Sequence, residues 1–211
     1  MSRAFREERA GRYNSLRLLG HDYSNTDDEY FITISANARN PFFADIVLAK
    51  QITALILDMH DERRIFLFAY VLMPDHFHAL LRIRDSMRSL PLAIGYFKGK
   101  ATRLYWKRAR QVYMDGKASF YGKGSDEDEL RSLRKWSSFA VLAEVLKIEN
   151  LRPPALRIFQ SKRLWQEGYH DHVIRSEADF NNKLKYILEN PVLRGYVPEP
   201  WMYPFSGIIS E

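Results

Sequence analysis

Two hydrophobic periods alternate along this chain, and the places where one gives way to the other mark its elements. Tyr30-Phe31-Ile32-Thr33-Ile34-Ser35 is dense in β-branched and aromatic residues and predicts a first strand. Asn40-Pro41 then supplies a cap and a first-turn proline, and Ile46, Ala49, Ile52, Leu55 and Ile56 recur at helical spacing between Phe42 and His60. Arg64 to Met73 and His76 to Arg84 read as two strands joined by the turn Met73-Pro74-Asp75, hence a hairpin. A second helix is expected from Leu90 to Arg110, and strand character resumes from Trp165 to Val173. Ser176-Glu177-Ala178-Asp179 resembles a capping box that opens a last helix, with Pro191 expected to end it.

The order β-α-β-β-α-(insert)-β-α predicts an α+β fold. The expectation is a ferredoxin-like sandwich, a mostly antiparallel sheet with helices packed on one face, plus an inserted helical and loop segment. Residues 1–29 read as a basic N-terminal arm carrying Arg3, Arg6, Arg9, Arg12 and Arg17. Residues 30–197 read as one domain, with 111–161 as the insertion, and 198–211 as a C-terminal tail. Within the insertion lie the acidic run Asp126-Glu127-Asp128-Glu129 and a short helical pattern from Phe139 to Leu146. No internal repeat is visible.

Composition narrows the function. The chain has no cysteine, which removes disulfides, thiolate zinc sites and cysteine nucleophiles together. A cytidine-deaminase type of zinc site is disfavoured for the same reason. No apolar stretch is long enough to span a bilayer, and the N-terminus lacks the apolar core of a signal peptide, so a soluble cytoplasmic protein without a membrane partner is expected. A net charge of +6 with 14% aromatic residues leans towards nucleic acid, since cations release counterions from phosphates and rings stack on bases. By itself this balance fits equally well a soluble protein with a basic surface.

The chemistry gathers at two places. His76 and His78 lie two apart on a strand and so face the same way, with Phe77 turned to the other side. Paired imidazoles supply half of a small divalent-metal site, against the plainer reading of structural histidines bonded to backbone carbonyls. On the last helix Phe180, Leu184, Ile187 and Leu188 make the apolar stripe. Tyr186 and Asn190 lie far round from it, one turn apart, with Asp179 and Lys183 on their face. Asn190 also suits a simple helix-end role before Pro191. Lys98, Lys100, Arg103, Lys107, Arg108 and Arg110 follow one another with no acidic residue among them, a candidate phosphate-binding run or a solvated face. Tyr105, within that run, is a rival nucleophile better explained by packing. His170 and His172 form a second alternating pair, read mainly as structural.

Phe68-Ala69-Tyr70-Val71-Leu72-Met73-Pro74-Asp75-His76-Phe77-His78 resembles the histidine-hydrophobic-histidine segment of single-tyrosine transposases. Leu164-Trp165-Gln166-Glu167-Gly168-Tyr169, then Val173-Ile174-Arg175, then Tyr186-Ile187-Leu188-Glu189-Asn190-Pro191-Val192 through Val197, resembles their C-terminal block. The likeness is to the REP-associated tyrosine transposases of the insertion-sequence-200 type, and the three blocks in order are far more specific than the histidine pair alone.

The resemblance implies a nuclease and strand-transfer enzyme that nicks and rejoins hairpin-containing single-stranded DNA through a 5′-phosphotyrosine. It implies Tyr186 as nucleophile and His76, His78 and Asn190 as ligands of a divalent metal, Mg²⁺ or Mn²⁺. Phosphate contacts would fall to Arg3, Arg6, Lys98, Lys100, Arg103, Lys107, Arg108 and Lys183. The active unit would be a monomer or homodimer, acting on the bacterial nucleoid. Alternatives are a domesticated hairpin-DNA-binding protein without cleavage and an unrelated metal-dependent hydrolase. Two imidazoles and an amide favour Mn²⁺, Co²⁺ or Zn²⁺ over Mg²⁺ on intrinsic affinity. The stretch from 111 to 161 is longer than the family leads one to expect.

Overall fold

The computed structural model describes residues 20–84, 89–121 and 161–209, with side chains of 113–121 left aside. Arg3 and Arg6, most of the basic arm, and residues 122–160 of the insertion lie outside the described residues. The elements run β1 (Glu29–Ser35), α1 (Ile46–Asp61), β2 (Ile65–Met73), β3 (His76–Ile83), α2 (Leu90–Tyr121), β4 (His170–Val173), α3 (Glu177–Leu193) and β5 (Ser206–Ile208). The sheet order is β4-β1-β3-β2-β5, and every described pairing is antiparallel. The first four of those strands with α1 and α2 reproduce the ferredoxin-like arrangement expected from the element order.

Strand alternation divides the side chains between two faces. Tyr30, Ile32 and Ile34 of β1 pair with Leu81, Ala79 and Phe77 of β3, and all six are buried. This face receives α2, whose Phe97 ring stacks on Phe77 at 5.1 Å between centroids. Helix α1 packs against α2 and β2 through a buried row that includes Ile52, Ile56 and Met59. The other face carries Phe31, Thr33, His76 and His78, and α3 lies across it. Helices on one face therefore describes α1 and α2. The third helix takes the second face because its stripe finds apolar partners there: Phe180 meets Phe68 of β2 edge-on, at 5.1 Å.

The C-terminal end is not a tail outside the domain. Leu72 donates its backbone N–H to Phe205 and Ile209 to Phe68, and β5 extends the sheet beside β2. Three residues make too short a run for periodicity to mark as a strand. Tyr23, within the expected arm, likewise belongs to the fold, since its carbonyl accepts from Leu90 and its hydroxyl donates to Asp171 at 2.6 Å. Pro191 does not stop its helix. It costs one donor near the end, and α3 runs two residues further to Leu193 before the chain turns out at Gly195, φ +70. Helix α2 runs past Arg110 to Tyr121, into the segment expected to be insertion.

Asp45 connects two parts of the core. Its carboxylate accepts from Leu48 N–H at the start of α1 and takes a forked pair of hydrogen bonds from Arg108 of α2. Both side chains are largely shielded from water. Asp45→Ala removes a helix cap and strands a guanidinium, so it should cost about 2–4 kcal/mol. Urea denaturation checks this, and a loss below that of an ordinary surface change would show the pair to be slack.

Candidate active site

The register places Thr33 opposite His78 and Ser35 opposite His76, so β1 and β3 present one polar patch beneath α3. His76 and His78 are each only 4% exposed, and their ring centroids stand 4.7 Å apart. The His76 Nδ1 meets the Asp75 carboxylate, which can only accept, so that nitrogen carries a proton and Nε2 is the ring's remaining candidate ligand atom. Burial works to raise the Asp75 carboxyl, but the hydrogen bond from His76 and the charges of His76 and Arg39 hold it below the usual range. His78 Nδ1 lies 2.8 Å from Thr33 Oγ1. Burial, and then the neighbouring His76, push the His78 imidazole down to about 3, so it is neutral in ordinary buffers.

Tyr186 reaches this patch from α3. Its ring lies 5.2 Å from His78 and 5.8 Å from Phe31, edge-on to both, while 42% of the residue stays exposed. Phe31 in turn stacks on His78 at 5.3 Å and carries Lys183 Nζ above its face at 5.2 Å. Asn190 follows Tyr186 by one turn and is 3% exposed. Two buried polar atoms here have no hydrogen-bond partner: His78 Nε2 and Asn190 Oδ1. Leaving a buried polar group bare costs about 1–3 kcal/mol, so each of the two calls for a partner from outside the chain. Among the described residues no group of three His, Asp or Glu side chains is placed to hold a metal ion by itself.

The candidate phosphate contacts divide differently. Helix α2 packs on the face opposite the imidazoles, so the sheet separates its basic run from them. Lys98 donates to the Gln166 and Gly168 carbonyls, and its partial burial lowers its pKa. Arg108 is held by Asp45. These two are structural ties. Lys100 lies over Tyr96, while Arg103 and Lys107 are exposed. Lys183 is the one basic candidate among the described residues that stands beside Tyr186 in the polar patch.

Tyr105 is fully buried, and its hydroxyl donates to the Ser161 carbonyl, as suits a packing role. His172 pairs with Asp179 at 2.7 Å and so ties β4 to the start of α3. Phe31, Thr33 and Asp75 were missed as site residues. The signal was present in strand parity, which puts the first two on the histidine face, and in the adjacency of Asp75 to His76.

Lys98→Met should therefore loosen the Gln166–Gly168 approach to β4 and cost about 1–3 kcal/mol, by orphaning two carbonyls. Urea denaturation measures the loss, and stability equal to that of the wild type would show that the two carbonyls do not depend on Lys98.

Comparison with known proteins agrees with the sequence resemblance. Residues 25–124 match the family described as "Transposase IS200 like". A Haemophilus influenzae protein provisionally described as a REP-associated tyrosine transposase is 24% identical over 139 residues, 66% of this chain. The match covers 56% of that relative's own length, so this chain spans little more than half of it. A REP-associated tyrosine transposase of Escherichia coli is 38% identical over 45 residues, 21% of this chain and 27% of that one. A solved REP-associated tyrosine transposase bound to a REP hairpin is similar at 16% identity and a TM-score of 0.46, over 90% of this chain and 82% of that one. Among the described residues no helix is long and apolar enough to cross a membrane. Over residues 25–124 this chain is similar to the IS200-like transposases, and the likeness to REP-associated tyrosine transposases read in its motifs is borne out.

Proposed function

We propose that this protein cuts and rejoins single-stranded DNA beside a hairpin, with Tyr186 as nucleophile. The observation that carries the reading is the meeting of a half-exposed phenol with two buried imidazoles, 5.2 Å from the nearer ring. The phenol oxygen attacks phosphorus, an O–P bond forms and the P–O3′ bond breaks. The departing 3′-oxygen takes up a proton, and the phenol proton passes to the solvent that its exposure admits. A phenol leaves more readily than an alkyl alcohol, so a 3′-hydroxyl can reverse the step and join the strand to a new end.

His76, His78 and Asn190 would hold a divalent cation, Mg²⁺ or Mn²⁺, and the unpartnered Nε2 of His78, the unpartnered Oδ1 of Asn190 and the proton that Asp75 places on His76 Nδ1 support the reading. Such an ion supplies Lewis-acid stabilisation of charge on the phosphoryl oxygens. The residues themselves contribute orientation: Asp75 and Thr33 fix the two rings, and Phe31 packs against both His78 and Tyr186. Lys183, held above Phe31, offers a positive charge to the strand's backbone. Arg103, Lys107 and Lys100 on the other face serve, at most, a duplex stem that wraps past the sheet edge.

The test is incubation of labelled hairpin DNA having a single-stranded flank with Mn²⁺, followed by a denaturing gel. A covalent protein–DNA band that EDTA abolishes supports the reading. Binding without any such band would make the protein a hairpin-binding relative, and turnover of small phosphoesters without DNA would make it an unrelated hydrolase.

A further inference from the structure

A cavity of about 200 Å³ opens beside His76, between the β2–β3 turn, the Asn37–Arg39 turn and the C-terminal end of α3. Its walls include Arg39, Pro74, Asp75, His76, Arg194 and Tyr196. It is smaller than the roughly 300–1,000 Å³ typical of sites for drug-sized ligands. Of these residues, the strand-cleavage chemistry uses His76 and its partner Asp75.

Three features give the cavity a chemical character. Its charge is surplus positive: the Asp75 carboxylate is already engaged by His76 and faces Arg39 at 3.6 Å, whereas Arg194 has no ion pair among the described residues. Its backbone is unusual, because Ala38 and Arg39 both sit at φ +53 without a glycine to relieve them. Non-glycine residues in that region cost about 1–2 kcal/mol each, and strain of this kind collects at ligand sites. Its aromatic wall is fixed, since the Tyr196 N–H donates to the Pro191 carbonyl and its half-buried ring leans on Tyr203.

We infer that this cavity holds one nucleotide of the unpaired strand next to the scissile phosphate, with Arg39 and Arg194 on a phosphate and Tyr196 against the base. The inference rests on the strand-cleavage reading and gives that site a specificity element. A phosphate alone would leave the aromatic wall unused, and guanidinium pairs with a nearby ring suit a backbone phosphate and its base together.

The experiment measures binding of hairpin DNA whose single-stranded flank carries one uncharged methylphosphonate linkage, moved position by position. Wild type and Arg194→Gln are compared in EDTA. At one linkage, wild-type binding should weaken about tenfold, while Arg194→Gln, already weaker, should show no further loss. The slope of log affinity against log salt should be shallower by about 0.7 in Arg194→Gln, and Arg194→Lys should restore it. Equal weakening of both proteins at every linkage would overturn the inference. So would relief of the Arg194-dependent contact by free deoxynucleoside monophosphate as effectively as by linked flank. The covalent band separates the two readings: a band without linkage coupling sinks the nucleotide cavity alone, and coupling without a band sinks the cleavage chemistry alone.

Discussion

Tyr186→Phe is expected to abolish the covalent protein–DNA band and to lower strand cleavage by at least about 10³-fold, the scale seen when a nucleophile is removed. Hairpin binding should stay within about twofold, because the ring and its contacts with His78 and Phe31 persist. Stability should move by less than about 0.5 kcal/mol, since Tyr186 is well exposed and its hydroxyl is not part of the buried network. This combination is what makes the variant informative: one oxygen is lost and little else changes. The measurements are a denaturing gel with labelled DNA, a binding titration, and a melting curve. Undiminished cleavage would remove Tyr186 from the chemistry whatever its position.

Much of the site was legible because strand geometry is local. Residues two apart share a face in any strand, so His76 and His78 had to point together once β3 was assigned. The hairpin turn Met73-Pro74-Asp75 and the capping box at Ser176 were equally local, and Ser176 does accept from Asp179 N–H. What could not be read was which partners arrive from far along the chain. Arg108 finds Asp45 across 63 residues, and Lys98 finds two carbonyls 68 and 70 residues on. Both looked like free cations beside other cations, and both are ties within the fold. The sign of the α2 run was visible, whereas the sheet face it would cover depends on the βαββαβ winding as a whole. A basic run expected next to the imidazoles therefore lies behind them.

The same distinction explains the last helix. Its stripe was legible, and the amide beside it read either as a metal ligand, by resemblance, or as a helix-end cap, neither of which required burial. Asn190 is instead buried, because α3 lies on a patch that is itself polar: Thr33, His76 and His78 face it across the sheet. A helix that covers a polar patch buries part of its own polar face. The cost of that arrangement appears in the bare Oδ1 of Asn190 and Nε2 of His78, and natural chains hold such costs where function needs them.

His78→Ala tests that arrangement directly. In wild type, added Mn²⁺ should raise the melting temperature, because a ligand bound only by the folded chain stabilises it by about 2.7 kcal/mol at 100 times its dissociation constant. His78→Ala should abolish this metal-dependent rise, and cleavage should fall by at least about 10³-fold, on the footing of a lost electrostatic element. Truncating a buried ring also lowers stability in EDTA, so the difference between melts with and without metal is the informative quantity. Thr33→Val separates ligation from packing further. It keeps the ring of His78 but removes the oxygen at its Nδ1, and orienting partners of this kind typically carry about 10–100-fold in metal affinity. The Mn²⁺ titration should therefore shift to higher concentration in Thr33→Val and vanish in His78→Ala. An undiminished melting shift in His78→Ala would place the cation elsewhere and leave the buried imidazole with a structural role only.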